Sequence, residues 1–363
     1  MAFIELDTDK LRKNYEFLDH KFEERGIEWG VVTKLLCGNE LFLKEVLALG
    51  TKEVHDSRIS NLKVVKKLDP KVQTVYIKPP AKRSISDVVK YADVSLNTEY
   101  YTIKKLSREA ERQGKVHKIV IMIELGDLRE GVMGEEFVDF YRAIFKLPHI
   151  QVVGIGSNLN CLHGVMPSED KFIQLSLYKS LIKATFNVEF PYISGGTSVV
   201  LPMLFKNQLP KSVNHFRIGE TLFFGLNIEE QSTFEGMHDD VLKLRTEIIE
   251  LTEKPVVPTG QLAENPSGEM VEIDENLYGK TSLRAIVDVG LLDITPDFLE
   301  PYDPNIEVVG ASSDMLILDL GKTEREYAVG DLVDFRMQYM GALGVMNSDY
   351  IEKRLTSKSH ENS

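Results

Sequence analysis

Apolar positions along the chain switch repeatedly between two spacings. Phe3–Leu6 reads as a short strand. Leu11, Tyr15, Leu18 and Phe22 then recur at helical spacing behind Asp7 or Thr8, either of which can cap a helix. Short apolar runs follow near Trp29–Thr33, Glu53–His55, Gln73–Ile77, Asp93–Leu96, Lys118–Ile123, Gln151–Ile155, Tyr192–Ser194 and Asn214–Arg217, and each predicts a strand. Amphipathic segments over 39–50, 57–68, 84–91, 98–113, 134–146 and 168–187 separate most of them, with a weaker one at Val199–Phe205. Eight strands with helical crossovers predict a (β/α)8 TIM-like barrel. A doubly wound open sheet is the competing architecture, but eight even units within about 230 residues suit closure better.

The pattern changes near residue 232. Val241–Glu250, Leu283–Val289, Ile306–Val309, Met315–Asp319 and Leu332–Arg336 read as strands. Turn-rich stretches lie between them, such as Lys254-Pro255-Val256-Val257-Pro258-Thr259-Gly260 and Glu264-Asn265-Pro266-Ser267-Gly268. The expectation is a barrel over residues 1–232 and a C-terminal, mainly-β domain over 233–363. The first strand, 3–6, is expected to pair with that second domain, and the polar tail 354–363 to be frayed.

Composition narrows the function. Among 363 residues, 43% hydrophobic and 27% charged is ordinary globular usage and excludes a mostly disordered or fibrous chain. A net charge of −13 makes a poor generic binder of nucleic acid or anionic membrane, though a local basic pocket can still hold a small anion. Two cysteines, Cys37 and Cys161, are too few for a disulfide framework or a four-Cys zinc site, and no metal is expected. Met-Ala-Phe-Ile-Glu-Leu-Asp has no basic segment followed by an apolar run, so no signal peptide is expected. No apolar run reaches about 18 residues, so no membrane span is expected either. The expected location is cytoplasmic.

In a barrel of this kind the chemistry sits at the C-terminal ends of the strands. The last two ends are the most informative. Ser194-Gly195-Gly196-Thr197 offers hydroxyls and bare backbone N–H groups, and Gly219 opens a short helix at Glu220 whose N-terminus favours an anion. Each glycine site alone reads better as a tight turn. Together, at these two strands, they predict a phosphate cradle. Lys34 ends the first barrel strand among Val31, Val32, Leu35 and Leu36, where partial desolvation would free its amine for Schiff-base chemistry. A snorkelling surface lysine is the plainer alternative. A lysine facing a phosphate cradle across the barrel mouth suggests pyridoxal phosphate, held covalently at one end and by its phosphate at the other.

At this point the chain resembles the fold-type III pyridoxal-phosphate enzymes, the alanine racemase superfamily, and within them the ornithine racemase-like branch. The resemblance rests on Phe3-Ile4-Glu5-Leu6-Asp7, Val31-Val32-Thr33-Lys34, Asp56-Ser57-Arg58, Gly154-Ile155-Gly156-Ser157-Asn158, Ser194-Gly195-Gly196-Thr197-Ser198, Phe216-Arg217-Ile218-Gly219-Glu220 and Gly310-Ala311-Ser312-Ser313-Asp314, in that order. It implies a barrel, a β-domain that contributes to the partner's active site, a head-to-tail homodimer and a small-molecule amino-acid substrate. It implies that Lys34 binds the cofactor and acts as base on one face of the substrate Cα. Arg217 matches the arginine facing the pyridine nitrogen; its plainer reading is a surface ion pair with Glu220. Arg129 resembles the arginine that steers the cofactor phenolic oxygen and the substrate carboxylate. Asn158 stands where alanine racemases carry a histidine beside the ring. Tyr350 resembles the tyrosine that reaches the phosphate, its alternative being an ordinary core tyrosine.

One part of the pattern is missing. Alanine racemase draws a second base, a tyrosine, from the partner subunit. Its place falls near Pro258-Thr259-Gly260, which holds no tyrosine. Asp314 is the candidate in the other partner-derived motif, for an ammonium group or for proton transfer. Cys161 and His163 are further candidates, with a buried thiol and a solvated imidazole as their plainer readings. An acidic partner suits a cationic side chain, as in ornithine or lysine. The reading is an amino-acid racemase. The alternatives are a decarboxylase or D-amino-acid lyase of the same fold, or a non-catalytic protein of pyridoxal-phosphate homeostasis.

Overall fold

The computed structural model describes residues 2–264, 270 and 272–356. The chain divides into two compact units, Asp7–Val241 and a second that joins the N-terminal segment to the chain from Leu242 onward.

The chain begins with β1 (Phe3–Asp7) and α1 (Thr8–Glu23). Asp7 is the N-cap: its carboxylate accepts from the N–H groups of Asp9 and Lys10 at 3.1 and 3.0 Å. α1 buries Leu11, Leu18 and Phe22, as their spacing predicts, and also Asn14. That amide is satisfied by the carbonyls of Leu222 and His238, at 3.0 and 2.8 Å, and by the His238 N–H at 2.7 Å.

Eight parallel strands then close a barrel in chain order: β2 (Glu28–Val32), β3 (Glu53–Asp56), β4 (Gln73–Tyr76), β5 (Val94–Asn97), β6 (His117–Met122), β7 (Ile150–Gly156), β8 (Tyr192–Ser194) and β9 (His215–Ile218). β9 returns to β2 with Trp29 opposite Phe216 and Val31 opposite Ile218, which rules out the open sheet. The crossovers carry α2 (Glu40–Ala48), α3 (Ile59–Leu68), α4 (Ile85–Tyr91), α5 (Tyr100–Arg112), α6 (Phe137–Ile144), α7 (Glu169–Phe186) and α8 (Leu201–Phe205), and α9 (Glu220–Phe224) follows β9. One cluster of Val75, Val94, Leu96, Val120, Met122 and Val153 forms an apolar core of this unit. A two-strand hairpin, β10 (Leu226–Asn227) and β11 (Ser232–Thr233), ends the region.

The second unit is an antiparallel sheet. It contains β12 (Leu242–Pro255), β13 (Thr281–Val287), β14 (Leu299–Pro301), β15 (Glu307–Ala311), β16 (Leu316–Asp319) and β17 (Leu332–Met337), in the order β14-β17-β12-β13-β16-β15. β1 pairs with β12, Phe3 opposite Arg245 and Leu6 opposite Leu242. A helix, α10 (Tyr339–Asn347), and a last strand, β18 (Glu352–Thr356), complete it.

Several sequence expectations are corrected here. β12 runs to Pro255 rather than Glu250, because alternate residues of its first half are buried and its exposed second half is carried by the ladder to β13. α10 has no clear amphipathic period: Met340, exposed, sits beside buried Gly341 and Ala342, so the periodicity did not reveal it. The tail is not frayed from residue 354, since Arg354 to Thr356 belong to β18 and the Arg354 guanidinium lies 3.8 Å from the Phe3 ring centroid. Residues 357–363, and the turn residues Asn265 to Gly268, lie outside the described residues. Among the described residues no helix is long and apolar enough to cross a membrane.

Candidate functional site

β2 ends at Val32. Thr33 then leads into a short 3-10 turn, Lys34–Leu36. That turn buries Leu35 and Leu36 and leaves Lys34 exposed at the barrel rim. The sequence expectation of a desolvated lysine is therefore corrected: Leu35 and Leu36 are buried, while Lys34 itself is exposed. Two acids feel its charge. Asp56, at the end of β3, is fully buried and accepts from the Arg58 N–H at 2.8 Å, the Thr33 hydroxyl at 3.0 Å and the Asn61 amide at 3.1 Å. Burial still pushes its pKa up to about 6, against those bonds and against Lys34. Glu220, first residue of α9, is also raised by burial, with Lys34 opposing.

Arg217, on β9, is 2% exposed and among the largest fully buried side chains. Its guanidinium donates to the Ser194 hydroxyl, to the Ser157 carbonyl at 2.9 Å and to Asn158 Oδ1 at 2.6 Å. The surface ion pair with Glu220 is thereby replaced by an interior cradle of neutral acceptors. Burial lowers Arg217 to about 10, so it stays a cation at neutral pH.

Asn158 also donates to Glu130, and Glu130 accepts from Arg129 Nη2 at 2.6 Å. A line Arg129–Glu130–Asn158–Arg217 thus crosses the ends of β6, β7 and β9. Arg129, expected to present its fork to a carboxylate, already has Glu130 on it. Beneath this line Asp127 organises the loop. It is 1% exposed, and burial would raise its pKa, but N–H groups of Leu162, Cys161, Val165 and His163 hold it below the usual carboxylate range. Cys161 is exposed rather than buried, with its thiol 3.3 Å from the Leu159 carbonyl. The His163 ring meets the Asp127 carbonyl at 2.8 Å, so it is anchored rather than merely solvated.

The glycine loops are built for close approach. A Cβ on Gly195 would stand 2.5 Å from Val213 Cγ1, and one on Gly219 would stand 3.0 Å from Val32 Cβ. Gly196 has φ +127°, where a side chain is strained. The Gly195 N–H is not bare as expected: it donates to the His215 carbonyl at 2.9 Å. Thr197 precedes the turn Ser198–Val200, and Ser198 Oγ accepts from the Thr221 N–H at 3.2 Å, tying this loop to α9.

Lys34, Arg129, Asn158, Ser194, Gly195, Gly196, Thr197, Arg217, Gly219 and Glu220 therefore share the C-terminal end of one barrel. Asp314 and Tyr350 belong to the second unit. Asp314 is exposed between β15 and β16 and accepts from the Ser313 hydroxyl at 2.9 Å. Tyr350 is 79% exposed, which removes the core-tyrosine alternative. Pro258, Thr259 and Gly260 are exposed. Sequence reasoning gave no role to Asp56 or Ser157, though both stand in motifs that carry the resemblance, nor to Glu130; the buried Ser157 hydroxyl has no partner among the described residues. It also missed Glu53 and His55, although two polar residues spaced by two on a strand buried on both faces mark a barrel interior.

Comparison with known proteins agrees with this fold. Residues 6–227 match the alanine racemase N-terminal domain family. An ornithine racemase from Acetoanaerobium sticklandii is 36% identical over 353 residues, covering 97% of this chain and 99% of that protein. A lysine racemase from Thermotoga maritima is 31% identical over 350 residues, 96% of each. The crystal structure of alanine racemase from Bartonella henselae, with covalently bound pyridoxal phosphate, superposes with a TM-score of 0.73 at 15% identity over 98% of this chain and 99% of that one.

Proposed function

Because the chain belongs to the alanine racemase N-terminal domain family, we propose that it is a pyridoxal-phosphate-dependent racemase that interconverts the L and D forms of a basic amino acid, ornithine or lysine. Its near-full-length similarity to an ornithine racemase and a lysine racemase supports the substrate class. The observation that carries the reading is Arg217, a buried cation at the barrel mouth with three neutral acceptors around it.

The residues present fit the cofactor. Ser157 leaves a buried hydroxyl without a partner among the described residues, and its carbonyl accepts from Arg217 at the same strand ends. When bound, pyridoxal phosphate supplies an electron sink that acidifies the substrate Cα–H. Lys34 would hold it covalently, and its amine would carry the Cα proton on one face. Gly195, Gly196, Thr197, Gly219 and Glu220, with Tyr350, would hold the phosphate end, while the Ser194 hydroxyl, expected there from the sequence, is already committed to Arg217 and His215. Arg217 would face the pyridine nitrogen. A permanent cation there would give up no proton and would leave the sink weak, which would favour return of the proton to Cα over transamination. Asn158 would lie beside the ring. Arg129 would take the substrate carboxylate after releasing Glu130. Asp314 of a partner copy in a head-to-tail homodimer would meet the substrate's distal ammonium or return the second proton.

The test is the visible spectrum of the purified protein before and after borohydride, beside Lys34→Ala, followed by chiral analysis of basic and neutral amino acids. A band that borohydride fixes onto Lys34, with inversion of ornithine or lysine, is expected. A colourless protein that takes up no pyridoxal phosphate sinks the cofactor. An amine product or a cleaved fragment makes the protein a decarboxylase or lyase, and a stable band without turnover makes it a cofactor carrier.

A further inference from the structure

Glu53, His55 and His215 form a buried cluster in the barrel interior, away from the mouth. The Glu53 carboxylate oxygen Oε2 lies 2.9 Å from Nε2 of both histidines, and its other oxygen accepts from the Gln73 amide at 2.6 Å. His215 Nδ1 is 2.8 Å from the Ser194 hydroxyl, which also receives Arg217. We propose that Glu53, His215 and Ser194 form a directed hydrogen-bond relay that anchors the Arg217 guanidinium from behind and makes Glu53 its remote counter-ion. This role rests on the racemase reading above.

The direction follows from counting donors. Arg217 can only donate, so its bond to Ser194 uses a lone pair of the hydroxyl. Ser194 is 1% exposed and has a single proton, and His215 Nδ1 is the acceptor within reach. His215 Nδ1 is therefore unprotonated, its proton sits on Nε2, and Nε2 donates to Glu53. His55 donates to the same oxygen from its own Nε2. This leaves His55 Nδ1 as a spare acceptor, and that atom is buried without a partner among the described residues. An unused acceptor is the cheaper of the two possible orphans. Every other group in the relay is matched, and its one carboxylate lies two neutral groups away from Arg217.

A metal centre is the rival, since the three side chains offer ligand atoms within 4.8 Å of one another. The relay is favoured for two reasons. Both ligating nitrogens already address Glu53, and the cavity the cluster lines is about 10 Å³, room for one water at most.

Glu53, His215 and Ser194 are thus positioning residues for Arg217, and His55 lies off the line. The experiment labels histidine with ¹⁵N in the full-length protein, with and without added pyridoxal phosphate, and reads the tautomer of each ring by two-bond ¹H–¹⁵N correlation. Nε2–H on both His55 and His215 is expected. In the cofactor-loaded protein, Ser194→Ala, His215→Gln and Glu53→Gln are compared with His55→Gln for the cofactor's absorbance and for racemisation turnovers per transamination event. The first three should alter the band and lower that ratio about tenfold, the size of a one-unit change in proton affinity. His55→Gln should change neither, while losing comparable thermal stability. Nδ1–H on His215 overturns the relay whether or not cofactor binds, as does stoichiometric metal in the purified protein. Equal behaviour of Ser194→Ala and His55→Gln overturns the positioning role. A wild type that binds no pyridoxal phosphate overturns the functional reading and, with it, this role, while the tautomer result stands separately.

Discussion

The Thr33 hydroxyl donates to the Asp56 carboxylate at 3.0 Å, one residue before Lys34 leaves the barrel. That contact keeps a buried acid at the rim, and burial holds it near pKa 6. Its effect on stability opposes that of two buried histidines, His55 and His117, which burial lowers to about 4. Between pH 6 and 4.5 the unfolded chain protonates both histidines, while the folded chain protonates Asp56. The unfolded state then binds about one proton more, so stability falls on acidification by about 1.4 kcal/mol per pH unit. Asp56→Asn removes the opposing proton, and the slope from these groups should steepen to about 2.3 kcal/mol per unit. Urea unfolding at pH 6 and 4.5 measures both slopes. A flat profile in the wild type would contradict the buried, neutral state of the two rings.

Arg217 makes three contacts from one fork, and no other side chain reproduces that geometry. Arg217→Lys keeps the charge but can serve only part of the cradle, with Ser157 and Asn158 left short of a donor. Removing a preorganised electrostatic group of this kind lowers kcat about 10²- to 10³-fold. The distinguishing sign is qualitative: transamination should rise relative to racemisation in Arg217→Gln, which has no fixed cation. Stopped-assay detection of the aminated cofactor alongside chiral chromatography reads both. Unchanged partitioning in Arg217→Gln would detach this residue from the cofactor.

The barrel was legible because each strand and crossover announces its own period, and a closed order needs no long-range information beyond the count. The second unit was less legible. β14 is three residues long, and α10 packs small residues with no apolar stripe, so neither carries a period. At the site, the residue types at the strand ends were readable, but their partners were not. Nothing in Arg129-Glu130 says that the carboxylate closes on its own neighbour while also meeting Asn158, 28 residues on. The exposure of Lys34 was misread for a similar reason. Hydrophobic neighbours imply burial in a continuing strand, but the chain turns at that residue.

Gly195 sits where β8 meets β9, and the space for a side chain is already taken. A methyl group there would meet Val213 at 2.5 Å and the Phe216 ring at 2.8 Å. Gly195→Ala should therefore cost about 1–3 kcal/mol by overpacking, and should weaken cofactor retention, since Gly196 and Thr197 must shift with it. Gly310→Ala is the control, with nothing within 4 Å of its added Cβ and an expected effect within about 0.5 kcal/mol. Thermal melts of the two variants decide the matter, and equal melting points would mean that the loop yields.

The final prediction concerns the partner copy. Lys34 lies on the barrel and Asp314 in the second unit, and the proposed reaction needs Asp314 from the neighbouring chain. If so, Lys34→Ala and Asp314→Asn, each inactive or nearly so, should restore activity when mixed under conditions that exchange subunits. Random pairing makes half the dimers mixed, and each mixed dimer has one site with both residues intact. About a quarter of wild-type activity should return, by the symmetry of a shared interface. Sites built within one chain would return none, because every site would keep its own substitution. The recovered fraction is measured by ornithine racemisation against the unmixed variants, with sedimentation establishing that dimers are present. Recovery near a quarter assigns Asp314 to the partner's site; no recovery from exchanging dimers returns it to its own chain and leaves the second proton to a residue of the barrel mouth.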